Sequence, residues 1–156
     1  MQIDLFTILP SLFAGFVSTG AMTILEIPFW KRWGLTGILE WHENQILTYK
    51  LFRVSSNSLH FWGIFLLHFL NGSLGGIGLV LAFILIPTLK EIPLLPLGLL
   101  YGFFLWILTL VPIHKPITGI NPWNHPLGKG PGVVSLIGHT IYGITLVISF
   151  TLIITI

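Results

Sequence analysis

The sequence predicts an all-α membrane protein of four transmembrane helices, with an interfacial amphipathic helix between the first and second. Three observations carry this expectation. The stretch LHFWGIFLLHFLNGSLGGIGLVLAFILI, Leu59 to Ile86, runs 28 residues without a charge, where about 20 apolar residues suffice to cross a bilayer as a helix. Of the 156 residues, 54% are hydrophobic and 8% charged, against roughly 25% charged in a soluble globular domain. Four spans with their connections take up the whole length, so one transmembrane domain is expected over residues 1–156.

The first span is read over about residues 5–27. A secretory signal would open with basic residues, whereas this chain opens with Asp4 and no Lys or Arg, so the segment is read as retained. Pro10 falls in its first turns, where a missing N–H costs least. Gly15, Thr19, Met22 and Glu26 recur at helical spacing and give it a small, polar face ending in a carboxylate.

The connection 28–58 is the longest polar stretch. Trp30, Lys31, Arg32 and Trp33 form the mixture of indole rings and cations expected at headgroup level. Leu35, Ile38, Leu39, Ile46 and Tyr49 then fall roughly on one helical face with Glu40, Glu43 and Lys50 elsewhere, which predicts the interfacial helix. Asn57 or Ser58 is the expected cap of the second span, residues 59–86.

Within that span, Gly72 and Gly76 form a G-x-x-x-G face that admits a close backbone neighbour. Asn71-Gly72-Ser73 matches a glycosylation sequon but would lie inside the bilayer. The third span, about 94–113, repeats the device with Gly98 and Gly102. Residues 114–132 hold Pro116, Pro122, Pro126 and Pro131 among four glycines and are read as an irregular loop. The fourth span, 133–156, carries Ser135, His139 and Gly143 on one face beside Tyr142.

Six of the seven Lys and Arg residues lie in the connections 28–58 and 114–132, and only Lys90 lies on the opposite side. The positive-inside rule therefore predicts that both large connections are cytoplasmic and both termini outside. The formal net charge of +2 is too small to argue for nucleic acid. With no cysteine in the chain, thiolate metal sites, cysteine nucleophiles and C-x-x-C-H haem attachment are excluded.

All six histidines lie on or near the predicted cytoplasmic side: His42 and His125 in connections, His60 and His114 at span ends, His68 and His139 within spans. Titratable groups inside a bilayer are costly and usually face protein or a cavity, which singles out Glu26, His68 and His139. These three could ligate a metal, the histidines could hold haem axially, or the set could relay protons. They could equally be neutral hydrogen-bonding groups that hold helices together. His42-Glu43 lacks the second histidine of H-E-x-x-H because Ile46 stands there; Glu40, His42 and Glu43 could still bind a cation at the surface, but are read as solvated interfacial residues. Gly128-Lys129-Gly130-Pro131-Gly132 is read as a turn, since Pro131 removes an N–H that a phosphate cradle would need.

AGFVSTGAMTILE in the first span and SLIGHTIYG in the last resemble a family of small four-helix integral membrane proteins of unknown function found in bacteria and archaea. The resemblance covers about 22 residues. It implies four spans, draws attention to His139, and lends no activity.

With small-residue faces, no soluble domain and no catalytic motif, the expected function is a non-catalytic accessory or assembly subunit. Its setting would be a larger membrane complex, such as a respiratory or membrane monooxygenase (ammonia/methane-type) assembly. The expected partners are the lipid bilayer and other integral membrane subunits. The alternative is an intramembrane His/Glu site for metal, haem, protons or solute.

Overall fold

The structure, a computed structural model, describes residues 5–53 and 61–155. The cap expected at Asn57 or Ser58, the first residues of the second span and His60 lie outside the described residues. Among the described residues six α-helices follow one another: α1 (Ile8–Trp33), α2 (Leu39–Phe52), α3 (Phe61–Leu85), α4 (Leu94–Thr109), α5 (Lys115–Thr118) and α6 (Gly130–Thr155). Among the described residues there is no β-strand. Four helical stretches are long and apolar enough to cross a membrane: Ile8–Trp33, Ile64–Leu85, Leu94–Thr118 and Gly130–Thr155.

Glycines fix how the long helices meet. A Cβ on Gly76 would lie 1.9 Å from the Ser11 carbonyl oxygen, and one on Gly15 would lie 2.5 Å from that of Gly72. The G-x-x-x-G face of α3 therefore closes on α1. The second such face, on α4, closes on α6, where a Cβ on Gly102 would lie 2.2 Å from the His139 carbonyl oxygen. Both faces thus meet helices of the same chain. Along the bundle, α3 packs on α1, α1 on α6 and α6 on α4, with neighbours antiparallel, while α3 and α4 approach one another little. The result is an open row of helices curled round a groove between α3 and α4.

Toward one end that groove is filled. Leu79, Val80 and Phe83 of α3 meet Leu97 of α4 and Leu146, Val147 and Phe150 of α6 in a buried apolar cluster. Toward the other end, where both long connections sit, the interior becomes polar.

The third span runs past its expected end. Pro112 has no N–H to give the carbonyl four residues earlier, and the backbone widens into one π turn, Leu110–His114, before α5. Residues 114–132 are consequently not irregular throughout. Pro116 and Pro131 sit in the first turns of α5 and α6, where no N–H is required. Gly119, at φ 77°, ends α5 in the left-handed conformation a glycine adopts freely.

The helix expected between the first two spans is present as α2, but its buried face differs from the expectation. Leu39 and Trp41 are buried together with Glu40, Glu43 and Asn44, whereas Tyr49, Leu51 and Phe52 are exposed. Glu40, Glu43 and Asn44 stand one turn apart at i, i+3 and i+4, so one side of α2 is polar and faces the protein.

Candidate functional site

The polar interior is built from three Glu–His pairs contributed by α1, α2, α3, α6 and the π turn. Glu26 of α1, fully buried, has Oε2 3.9 Å from Nε2 of His68 on α3. That separation exceeds a hydrogen bond. Neither carboxylate oxygen of Glu26 has a hydrogen-bond partner, and neither does His68 Nε2. Trp41 covers the imidazole edge-on, with ring centroids 5.7 Å apart.

Glu40 of α2 faces α6. Its Oε1 accepts from the Ser135 hydroxyl and lies 3.2 Å from His139 Nδ1, which is also 3.0 Å from the Ser135 carbonyl oxygen. With two acceptors beside it, Nδ1 of His139 carries the proton and Nε2 is the acceptor nitrogen. Trp106 Nε1 donates to Ser135 Oγ at 3.0 Å and completes this corner. The third pair joins α2 to the π turn, where His114 Nδ1 donates to Oε2 of the fully buried Glu43.

The two α2 carboxyls are pushed in opposite directions. Burial alone would raise Glu40, but the bonds from His139 and Ser135 outweigh it and hold this carboxyl below the usual carboxylate range. At Glu43 burial wins over the His114 bond and lifts the carboxyl to about 6. One acid is therefore kept ionised while its neighbour a turn away titrates near neutrality.

Glu40, His68, His114 and His139 line one cavity of about 380 Å³, together with Asn44 and Asn71. Glu26 and Glu43 stand behind His68 and His114. Asn71 Nδ2 donates to Asn44 Oδ1 at 3.3 Å across the α2–α3 contact. The Tyr142 hydroxyl donates to the Gly72 carbonyl and the Tyr101 hydroxyl to the Gly75 carbonyl, each at 2.5 Å, where the cavity gives way to the apolar cluster.

Of the residues singled out in the sequence, Glu26, His68 and His139 all reach this region, but in two pairs rather than one group. Among the described residues no three carboxylate, imidazole or thiolate side chains meet so as to hold one metal ion. Glu40 and Glu43, read in the sequence as solvated, are buried members of the cluster, and His114 is a member rather than a span-end residue. His42 departs from both glutamates: its Nδ1 lies 3.1 Å from His125 Nε2. The signal for Glu40 and Glu43 was their spacing with Asn44 on one helical side. Nothing in the sequence announces the π turn that presents His114.

Set against protein-family models, curated proteins and solved structures, the chain matches none. Its function is argued from the site alone.

Proposed function

We propose that this protein is a membrane-embedded binding site that exchanges protons with a small ligand, and that it is not a conduit across the bilayer. The observation that supports this reading is the ring of four titratable side chains on one cavity wall, with two more carboxylates behind it. Three carboxylates and three imidazoles share the site, and each of its ion pairs uses a histidine rather than a lysine or arginine. Its charge is therefore balanced only by groups that can themselves gain or lose a proton. The split between Glu40 and Glu43 leaves one carboxylate ionised and one carboxyl that takes up and releases its proton around pH 6. A path across the membrane finds no support in the groove, which beyond Tyr101 and Tyr142 is filled by the apolar cluster of α3, α4 and α6.

Imidazoles backed by carboxylates are also how metal-ligating histidines are held. A metal at His68, His139 and Glu26 is the second reading, and it would require Glu26 and His139 to turn out of their present pairs. The accessory-subunit reading rests on the lack of a soluble domain and of a catalytic motif as well as on small-residue faces; of these, the Gly72–Gly76 and Gly98–Gly102 faces meet helices of the same chain and so point to no second protein. The polar end, with six of the seven cations, is assigned to the cytoplasm by the positive-inside rule.

Two measurements on the full chain in lipid vesicles test the proposal. Infrared difference spectra across a pH jump should show a protonated carboxyl band that shrinks in Glu43→Gln, while proton leak under an imposed gradient equals that of empty vesicles. A leak above that background, abolished by Glu26→Gln, would overturn it. Zinc, iron and copper assays on the same sample decide the metal reading.

A further inference from the structure

We infer that the ligand of this site is an uncharged, hydroxyl-bearing amphiphile that enters sideways from the bilayer between α3 and α4, as a hydroquinone with an apolar tail would. The inference rests on the ligand-binding reading above and adds the route and the chemical class.

The route follows from the packing. The cavity is bounded on one side by α3, with Leu74, Gly75 and Gly78, and on the other by α4, with Tyr101 and Leu105, two helices that barely pack together. Leu74 at its lip is 51% exposed and Ile113, in the π turn, 55% exposed, and both belong to helical stretches that read as membrane-spanning. What meets those side chains is lipid. The Tyr101–Gly75 hydrogen bond forms the sill of this window, and below it the apolar cluster closes the groove.

The class follows from the groups that wait inside. Glu40 and His68 are buried and line the cavity; Glu40 Oε2 has no hydrogen-bond partner, and neither has His68 Nε2, which lies 3.9 Å from Glu26 Oε2 behind the wall. Such groups lose much of their hydration without compensation unless a ligand supplies it. A hydroxyl can donate to the carboxylate and accept from an imidazole at once. Glu40 at the wall, with Glu26 and Glu43 behind it and no lysine or arginine lining the cavity, disfavours a fatty-acid or phosphate head. A volume of about 380 Å³ lies at the small end of ligand pockets, which suits one ring with its tail left in the lipid. Gly75 and Gly78 let the hydroxyls of Tyr142 and Tyr101 come against α3, so the cavity floor is closed by two phenol rings.

The test uses the full chain in nanodiscs and a decyl-substituted hydroquinone, its dimethyl ether, decanol and decanoic acid, with binding followed by tryptophan fluorescence. The hydroquinone should bind saturably, at least tenfold tighter than its dimethyl ether and than decanoic acid. Leu74→Trp, on the lipid-facing lip, should slow its association at least fivefold, and Glu40→Gln should weaken it about tenfold. Equal binding of the ether or the acid overturns the class, and tighter binding of decanol overturns the aromatic ring. An association rate unchanged in Leu74→Trp overturns the route. Absence of hydroquinone binding while the pH-dependent carboxyl band persists defeats this inference alone, whereas loss of that band in the unmodified protein defeats the reading beneath it.

Discussion

Glu43 and His114, 71 positions apart, form a buried carboxylate–imidazole pair that ties α2 to the π turn. Burial holds the Glu43 carboxyl at about 6, above its ordinary 4.5. A raised carboxyl binds its proton more tightly in the folded state, so its contribution to stability is complete below about pH 4.5 and is lost as pH rises through 6. That contribution is on the order of 2 kcal/mol. Glu43→Gln should therefore flatten the dependence of the melting midpoint on pH across this window, as a thermal series on the detergent-solubilised protein would show. A wild-type slope retained in the variant would refute the assignment.

The His42–His125 contact should respond in the opposite sense. The Leu127 N–H donates to His125 Nδ1 at 3.1 Å, so the proton of this neutral ring is on Nε2 and points to His42 Nδ1. Burial lowers both imidazoles from the ordinary 6.5. A lowered imidazole contributes stability above its unfolded value and loses it as pH falls through the folded one. Protection from hydrogen exchange in residues 119–129, taken relative to the intrinsic base-catalysed rate, should fall below about pH 6.5, and His125→Asn should remove that dependence of protection on pH. Unchanged protection on acidification would count against the pair.

Two glycine substitutions separate close packing from backbone freedom. A Cβ on Gly76 would collide with the Ser11 carbonyl at 1.9 Å, whereas one on Gly20 meets nothing within 4 Å. Gly76→Ala should destabilise the protein by about 1–3 kcal/mol, and Gly20→Ala should stabilise it by about 0.5–1 kcal/mol. Opposite signs in a single melting experiment are the expected outcome; a shared sign would contradict the α1–α3 contact.

Tyr142→Phe should cost about 1 kcal/mol, the net value of an ordinary hydrogen bond, by removing the bond that its hydroxyl donates to the Gly72 carbonyl at the cavity floor. The same variant should leave the pH-dependent carboxyl band intact, because Tyr142 forms the floor and is not one of the exchanging groups. Loss of the band would place the tyrosine among them.

Much of the fold was legible because the bilayer imposes length and apolarity on each span, and Leu59–Ile86 meets both without ambiguity. Glu26, His68 and His139 stood out for the same reason, since a titratable group in an apolar run requires a partner. Glu40 and Glu43 were misread because α2 has the composition of a surface helix. Burial of its acids depends on histidines 71 and 99 positions further on, at His114 and His139, which no local pattern reveals. The glycine faces were visible, but not whether their neighbours belonged to this chain. The end of the third span was set by Pro112, which here widens the helix instead of stopping it.

The pairing of carboxylates with imidazoles is the central claim, and nitrogen NMR of histidine-labelled protein in bilayers tests it most directly. Two of the six histidines, His114 and His139, should carry their proton on Nδ1 with the shift of a carboxylate-bonded N–H. Glu43→Gln should move the first signal alone and Glu40→Gln the second. Six imidazoles indistinguishable from free histidine, or signals indifferent to both substitutions, would contradict the account.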